Sequence, residues 1–406
     1  MDIKFTDGGV TVPKGFTANG IHCGIRKSKD KKDLALIFCE KECDTAAVYT
    51  QNLVCGAPIT VTKNNISDGK ARAVVCNSGI ANTCNADGIE KAEGMCEITA
   101  NALGISKSDI IVASTGVIGQ PLDLEPVKDG MDELVSGLNK NGSDSAANAI
   151  MTTDTVKKEF ACEFTLGGKL CHIGAISKGS GMIHPNMATM LAFITTDANI
   201  SSEMLKSSLL EVVADSFNML SVDGDTSTND TVAILASGLC ENERITEKND
   251  DYRTFTLALS SICEKLVKLM AKDGEGATKL VECVVTGASD VKTAKTCAKA
   301  VICSSLVKAA MFGSDANWGR ILCALGYSGV DIDVYRVDVK FSSDGGEIEV
   351  CNDGSGIDFS EELAKKVLAC DEVYILVDLK SGASCATAYG CDLTYDYVKI
   401  NGDYRT

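Results

Sequence analysis

The sequence predicts a two-domain α/β protein. Its 406 residues exceed what one ordinary hydrophobic core accommodates. Strand-like apolar runs alternate with segments of helical periodicity along most of the chain. The 37 glycines and only 5% aromatic residues suit closely packed sheets and helices, not a stacking surface for single-stranded nucleic acid.

Ala71–Cys76 (ARAVVC) reads as a buried strand, followed by a Gly/Asn-rich turn over 77–88. Ile89, Ala92, Cys96, Ala100 and Leu103 then recur at helical spacing. Residues 109–113 (DIIVA) return as a strand that ends at Ser114-Thr115-Gly116. Residues 160–166 and 170–176 form a hairpin with Gly167-Gly168 at its turn. A strand over 189–196, a helix over 204–220 and a strand over 230–235 follow. The next elements are a helix over 257–270, a strand over 280–285 and a helix over 294–311. The tail reads as short strands over 336–341, 347–351, 372–379 and 395–400, with one helix at 361–369. We place the domain boundary near Gly276, giving a larger strand-rich unit over 1–275 and a smaller α/β unit over 276–406.

The formal net charge of -17 repels phosphate backbones and anionic membranes, so no nucleic-acid or membrane partner is expected. No run of 18 apolar residues occurs, and residues 1–9 carry acids without the apolar run of a signal peptide. The 19 cysteines are an odd number with no C-x-x-C pair, which reads as reduced thiols in a cytoplasmic protein. With only His22, His172 and His184 available, no metal site is expected. Asp223 to Asn229 resembles the start of a calcium loop. Thr228 and Ile234 stand where such a loop needs Gly and Glu, so the segment reads as an Asx-rich structural turn.

No phosphate loop, dinucleotide fingerprint or serine elbow is present. The densest chemistry lies in 178–191, KGSGMIHPNMATML. Gly179 and Gly181 permit a tight bend beside another group, and Pro185 restrains the residue before it. Ala188 and Thr189 then open a β-branched strand. This layout suits attack by the Thr189 hydroxyl on the preceding carbonyl. The α-amine so freed, of ordinary pKa about 7.7–8.0, then serves as base for its own hydroxyl. A plain Gly-rich turn before a buried strand is the alternative.

That segment closely resembles the self-cleavage motif of the ArgJ family, the glutamate/ornithine N-acetyltransferases. Further blocks resemble the family in its order: 77–88 (NSGIANTCNADG), 113–122 (ASTGVIGQPL), 149–155 (AIMTTDT), 274–279 (GEGATK), 313–320 (GSDANWGR) and 400–406 (INGDYRT). The resemblance implies a four-layer α-β-β-α sandwich, like N-terminal-nucleophile hydrolases in mechanism, with a smaller C-terminal domain whose tail returns to the site. It implies cleavage between Ala188 and Thr189, and transfer of acetyl from N-acetylornithine to glutamate through a Thr189 ester. Thr115 and Gly116 take the oxyanion-hole positions. Thr152, Lys178, Glu275, Asn401 and Thr406 take the substrate-contacting ones. The resemblance implies no cofactor, leaves acetyl-CoA open as a second acetyl donor, and suggests a heterotetramer of two alpha and two beta fragments. A relative acting on another N-acyl amino acid, or hydrolysing it, is the alternative. Asn77, Asn82 and Trp318 read as structural.

Overall fold

A computed structural model describes residues 3–184 and 190–403. The strands of the first two thirds of the chain are β1 (Lys4–Thr6), β2 (Phe16–Ile21), β3 (Leu34–Tyr49), β4 (Lys70–Ile80), β5 (Ile110–Val117), β6 (Lys158–Leu166), β7 (Lys169–Lys178), β8 (Leu191–Thr196), β9 (Leu220–Ser221) and β10 (Thr231–Ala236). All but β9 join one nine-stranded sheet in the order β1-β6-β7-β8-β10-β3-β4-β5, with β2 also paired to β3. The helices here are α1 (Ala57–Asn65), α2 (Gly88–Leu103), α3 (Glu125–Ser136), α4 (Ser143–Ile150), α5 (Ser202–Asp215) and α6 (Asp250–Lys272).

Strand β3 turns this sheet into two layers. It is buried at both ends, but Glu40-Lys41-Glu42 in its middle is exposed, and its register with β4 shifts between Phe38 and Cys43. The first half pairs with β2 and β4, and the second half pairs with β10. Because side chains alternate across a strand, each layer offers one face inward and one outward. Ile37, Val74, Cys76, Ile111 and Ala113 of one layer meet Ile176, Leu191, Phe193, Ala233 and Leu235 of the other in a shared core, together with α4. The outward face of the first layer packs on α2 and α3 through Met95, Cys96, Val127 and Met131. The outward face of the second packs on α5 and α6 through Leu205, Leu209, Phe255, Leu259 and Ile262. The layers therefore run helix, sheet, sheet, helix, as expected. Each fully buried Leu, Ile or Phe contributes about 1.5–3 kcal/mol to holding them together.

The second sheet adds β11 (Leu280–Ala288), β12 (Asp338–Ser343), β13 (Gly346–Asn352), β14 (Ser355–Gly356), β15 (Glu372–Asp378) and β16 (Ser384–Cys391). Its order is β14-β13-β12-β15-β11-β16-β9. The remaining helices are α7 (Val291–Cys303), α8 (Ser305–Phe312), α9 (Trp318–Gly326), α10 (Glu361–Leu368) and α11 (Tyr395–Asp403). The apolar core behind α6 runs without a break into this sheet. Among the described residues, no helix is long and apolar enough to cross a membrane.

Three expectations need correction. The single helix read over 294–311 is two, because Ser304 is extended; its Oγ accepts the Val307 N–H at 3.3 Å and starts α8 anew. Residues 395–400 form α11 and not a strand. Thr394 Oγ1 accepts the Tyr397 N–H at 3.4 Å, a capping signal that the Tyr/Val alternation masked. Finally, the cysteines are not all free: Cys171 and Cys240 form a disulfide.

Candidate active site

The site gathers at the ends of β5 and β7 and at the start of β8. Lys178 closes β7 and lies directly across from Leu191, which opens β8. The chain thus leaves the sheet after Lys178 and is back in it at Leu191, at one place. Thr189 and Ala188, the predicted nucleophile and its scissile neighbour, lie outside the described residues, as does Thr406.

Thr115 and Gly116 fall inside β5, two and three residues beyond the 109–113 strand read from the sequence, and pair in parallel with Ser78 and Gly79 of β4. Gly116 has φ 130°, and a Cβ there would lie 2.2 Å from the Gly79 carbonyl carbon. Only glycine fits so close an approach. The Lys178 ammonium donates to Thr115 Oγ1 at 3.2 Å, with both side chains buried. A hydroxyl that accepts from a cation becomes a stronger donor through its own hydrogen.

A small cavity of about 20 Å³ is lined by Thr115, Lys178, Met190, Asn229 and Asp230, among others. Asn229 holds two walls together, donating to Ala81 O at 2.6 Å and Ser114 O at 3.0 Å while accepting from Thr83 Oγ1 at 2.6 Å. Asp230 is buried, and its Oδ2 has no hydrogen-bond partner among the described residues. Burial pushes its pKa well up, against the hydrogen bond from Ser227 and the charge of Lys178.

The glycines of the loop serve different neighbours. A Cβ on Gly181 would stand 2.2 Å from the Glu275 carboxyl carbon, and one on Gly179 would stand 2.9 Å from Ile183. Glu275 is buried, donates its N–H to Ser180 O at 3.0 Å, and accepts from Asn401 Nδ2 at 2.7 Å. Helix α11 therefore brings Asn401 back to the loop. Its start is anchored by Thr394, which donates to Gly276 O at 2.7 Å.

Behind the loop lies a charged cluster that the sequence reading missed. Lys158 is fully buried, with Nζ at 2.7 Å from Asp154 Oδ1 and 2.5 Å from Asp273 Oδ2. Asp154 accepts the Gly179 N–H at 2.8 Å and the Thr152 N–H at 3.0 Å, which ties the segment carrying Thr152 to the residue after Lys178. Asp273 O takes the Ser180 hydroxyl at 2.6 Å. Burial alone would raise the Asp154 pKa. The ammonium groups of Lys158 and Lys178, with the bonds from Lys158 and Gly179, overcome that and hold it at about 2. The i,i+4 spacing of Asp154 and Lys158 was the one available signal.

The descending side of the loop is held by the Asx turn. Asp223 accepts N–H bonds from Met182 at 2.6 Å, Ile183 at 2.9 Å and its own neighbour Asp225 at 3.1 Å. Those bonds settle Met182 at φ 54°. His184 lies 3.1 Å from Ser221 Oγ and 3.5 Å from Cys303 Sγ. Burial, reinforced by Lys299, lowers its pKa to about 4, so it is neutral near pH 7. Asn77 and Asn82 each bond a nearby backbone carbonyl, Ile80 O and Gly88 O, both at 2.9 Å.

The structure thus joins Thr115 to Lys178 and Glu275 to Asn401, and links Thr152 to the Lys178 loop through Asp154. Two facing sheet layers between helices, with a small polar cavity at one end of the strands, define a layered α/β protein with a candidate site there.

The chain belongs to the ArgJ family, whose model matches residues 17–406. It is 52% identical over 392 residues to the arginine biosynthesis bifunctional protein ArgJ 1 of Clostridium acetobutylicum, covering 96% of each chain. It is 48% identical over 405 residues to the arginine biosynthesis bifunctional protein ArgJ of Caldanaerobacter subterraneus, covering 100% of each. Among solved structures, it resembles the arginine biosynthesis bifunctional protein ArgJ of Bacillus halodurans. There the identity is 47% and the TM-score 0.51, over 53% of this chain and 100% of that one.

Proposed function

We propose that the chain is an acetyltransferase of arginine synthesis in the cytoplasm. It cuts itself between Ala188 and Thr189, then carries acetyl on Thr189 from N-acetylornithine to glutamate by a ping-pong route. The observation that carries this reading is the buried Lys178–Thr115 contact in a cavity that Met190, the residue following Thr189 in sequence, also lines. The family model and the 48–52% identical relatives support it. So does the likeness to the solved Bacillus halodurans ArgJ chain, 47% identical over 53% of this chain.

In this mechanism the freed Thr189 amine takes the hydroxyl proton, and the oxygen attacks the acetyl carbonyl. The Thr115 hydroxyl and the Gly116 N–H donate to the oxyanion as it forms. As the acetyl C–N bond breaks, the Thr189 ammonium returns that proton to the departing ornithine nitrogen; glutamate then enters, and the same steps run in reverse. Lys178 meets the substrate carboxylate. Glu275, oriented by Asn401, receives the amino group, and Thr152 and Thr406 complete the substrate contacts. No cofactor takes part, and acetyl-CoA serves at most as a second donor. Two copies of each fragment form the assembly.

The test is the denatured, reduced mass of the purified protein, followed by a transfer assay. The reading expects fragments 1–188 and 189–406, and loss of N-acetylornithine that glutamate accelerates. If glutamate leaves donor loss unchanged, the transferase reading fails. The oxyanion hole has its own test: Gly116→Ala pushes β5 off β4 and lowers kcat about a hundred- to a thousandfold, the effect of losing one donor. A kcat within twofold of the parent, in a folded variant, would remove Gly116 from the mechanism.

A further inference from the structure

We propose that the Cys171–Cys240 disulfide is an inter-fragment staple, which keeps the two products of self-cleavage covalently joined. The inference rests on the cleavage proposed above: Cys171 precedes the Ala188-Thr189 bond and Cys240 follows it.

The geometry suits a bond. The two Cα atoms are 5.6 Å apart, inside the range a disulfide spans without backbone movement. Both positions are held from the backbone outward. Cys171 lies in β7, paired with Phe164. Cys240 follows β10, and its N–H bonds Asp197 O at 2.7 Å. Asp197 in turn clamps the β7 side, accepting the His172 N–H at 2.7 Å and His172 Nδ1 at 2.9 Å, and it also takes the Lys14 N–H at 3.2 Å. Both positions are therefore held by backbone contacts as well as by the bond.

Both cysteines are buried, at 0% and 4% exposure, so a bond once made is shielded from solution thiols. Among the described residues the other 17 cysteines are free, so the pairing is selective. With Asp197 the two sulfurs also form a cluster that could ligate a metal. The bonded sulfurs and three N–H contacts on Asp197 favour the disulfide.

The oxidant is a low-molecular-weight disulfide, met while the chain folds. One cysteine thiolate attacks it, forming a mixed disulfide and releasing one thiolate. The second cysteine displaces the other half. Two electrons pass from the protein to the reagent, and two protons accompany the released thiols.

The experiment blocks free thiols with N-ethylmaleimide at lysis and compares intact masses under denaturing conditions, with and without reductant. The staple predicts one species without reductant, near 42.7 kDa before the added maleimide, and two fragments after reduction. It also predicts that Cys171→Ser yields two fragments without reductant. Two fragments from the parent protein without reductant would overturn the staple and leave the cleavage standing. A single species even after reduction would overturn the cleavage, and with it the inter-fragment role. In that case a tryptic map still reads the bond itself, as Cys171 and Cys240 peptides joined before reduction and separate after it.

Discussion

Replacing Thr189 by Ala is expected to leave one uncut 42.7 kDa chain under reducing conditions and to lower acetyl transfer about ten-thousandfold or more. The two losses have one cause in the proposed mechanism, since the same hydroxyl opens the 188–189 bond and later carries acetyl. The residual rate would come from what the substitution leaves intact: Thr115 held by Lys178 at 3.2 Å, the Gly116 backbone, and Glu275 held by Asn401 at 2.7 Å. Such a site still binds and orients substrate, and in acyl-transfer enzymes this accounts for a small remnant of the rate. Thr189→Ser retains a hydroxyl and should cleave and turn over, more slowly than the parent. Intact mass measures the first effect, and loss of N-acetylornithine with and without glutamate measures the second. Full transfer by Thr189→Ala would remove Thr189 from the reaction. An uncut but active Thr189→Ser would separate cleavage from catalysis.

Local chemistry made part of this site legible. The loop glycines announced a close approach, and the structure supplies the neighbour, the Glu275 carboxyl against Gly181. Apolar runs announced β4, β8, β10 and β11, because alternation or full burial leaves its mark within six residues. What stayed hidden depends on partners far apart in sequence. The fold of β3 turns on three exposed residues, Glu40 to Glu42, inside a strand that the pattern reading passed over. Asp273 meets Lys158 across more than a hundred residues, and Cys171 finds Cys240 across 69. No spacing rule carries such pairings. The tail failed for another reason: Tyr395, Val398 and their neighbours satisfy strand and helix patterns alike, and the Thr394 cap decided between them.

Lys158→Met should then be the most damaging substitution that touches no predicted substrate contact. Methionine fills much the same volume but leaves Asp154 and Asp273 facing each other with no cation between them. Removing one partner of a buried charge cluster costs about 3–5 kcal/mol, because the charges left behind have lost their compensation. For a chain of 406 residues that is a fall in Tm of roughly 4–6 °C. The effect should depend on pH with a definite sign. Asp154 has its folded pKa near 2, below its ordinary value near 3.8, so its contribution of about 2 kcal/mol is complete above pH 4 and fades as pH falls towards 2. In the variant Asp154 loses the Lys158 charge that holds its pKa down, so it protonates more readily, and protonation relieves it. The gap in Tm between parent and variant should therefore narrow below pH 4. Adding Asp154→Asn to Lys158→Met should cost less than the two single losses combined, since it removes one stranded charge. The damage should also reach the site, because Asp154 orients Gly179 and Thr152 while Asp273 holds Ser180. Thermal melts across pH, beside KM and kcat for transfer, would show both. A pH-independent gap, or a variant as stable as the parent, would mean that the cluster does not carry the buried charges as drawn.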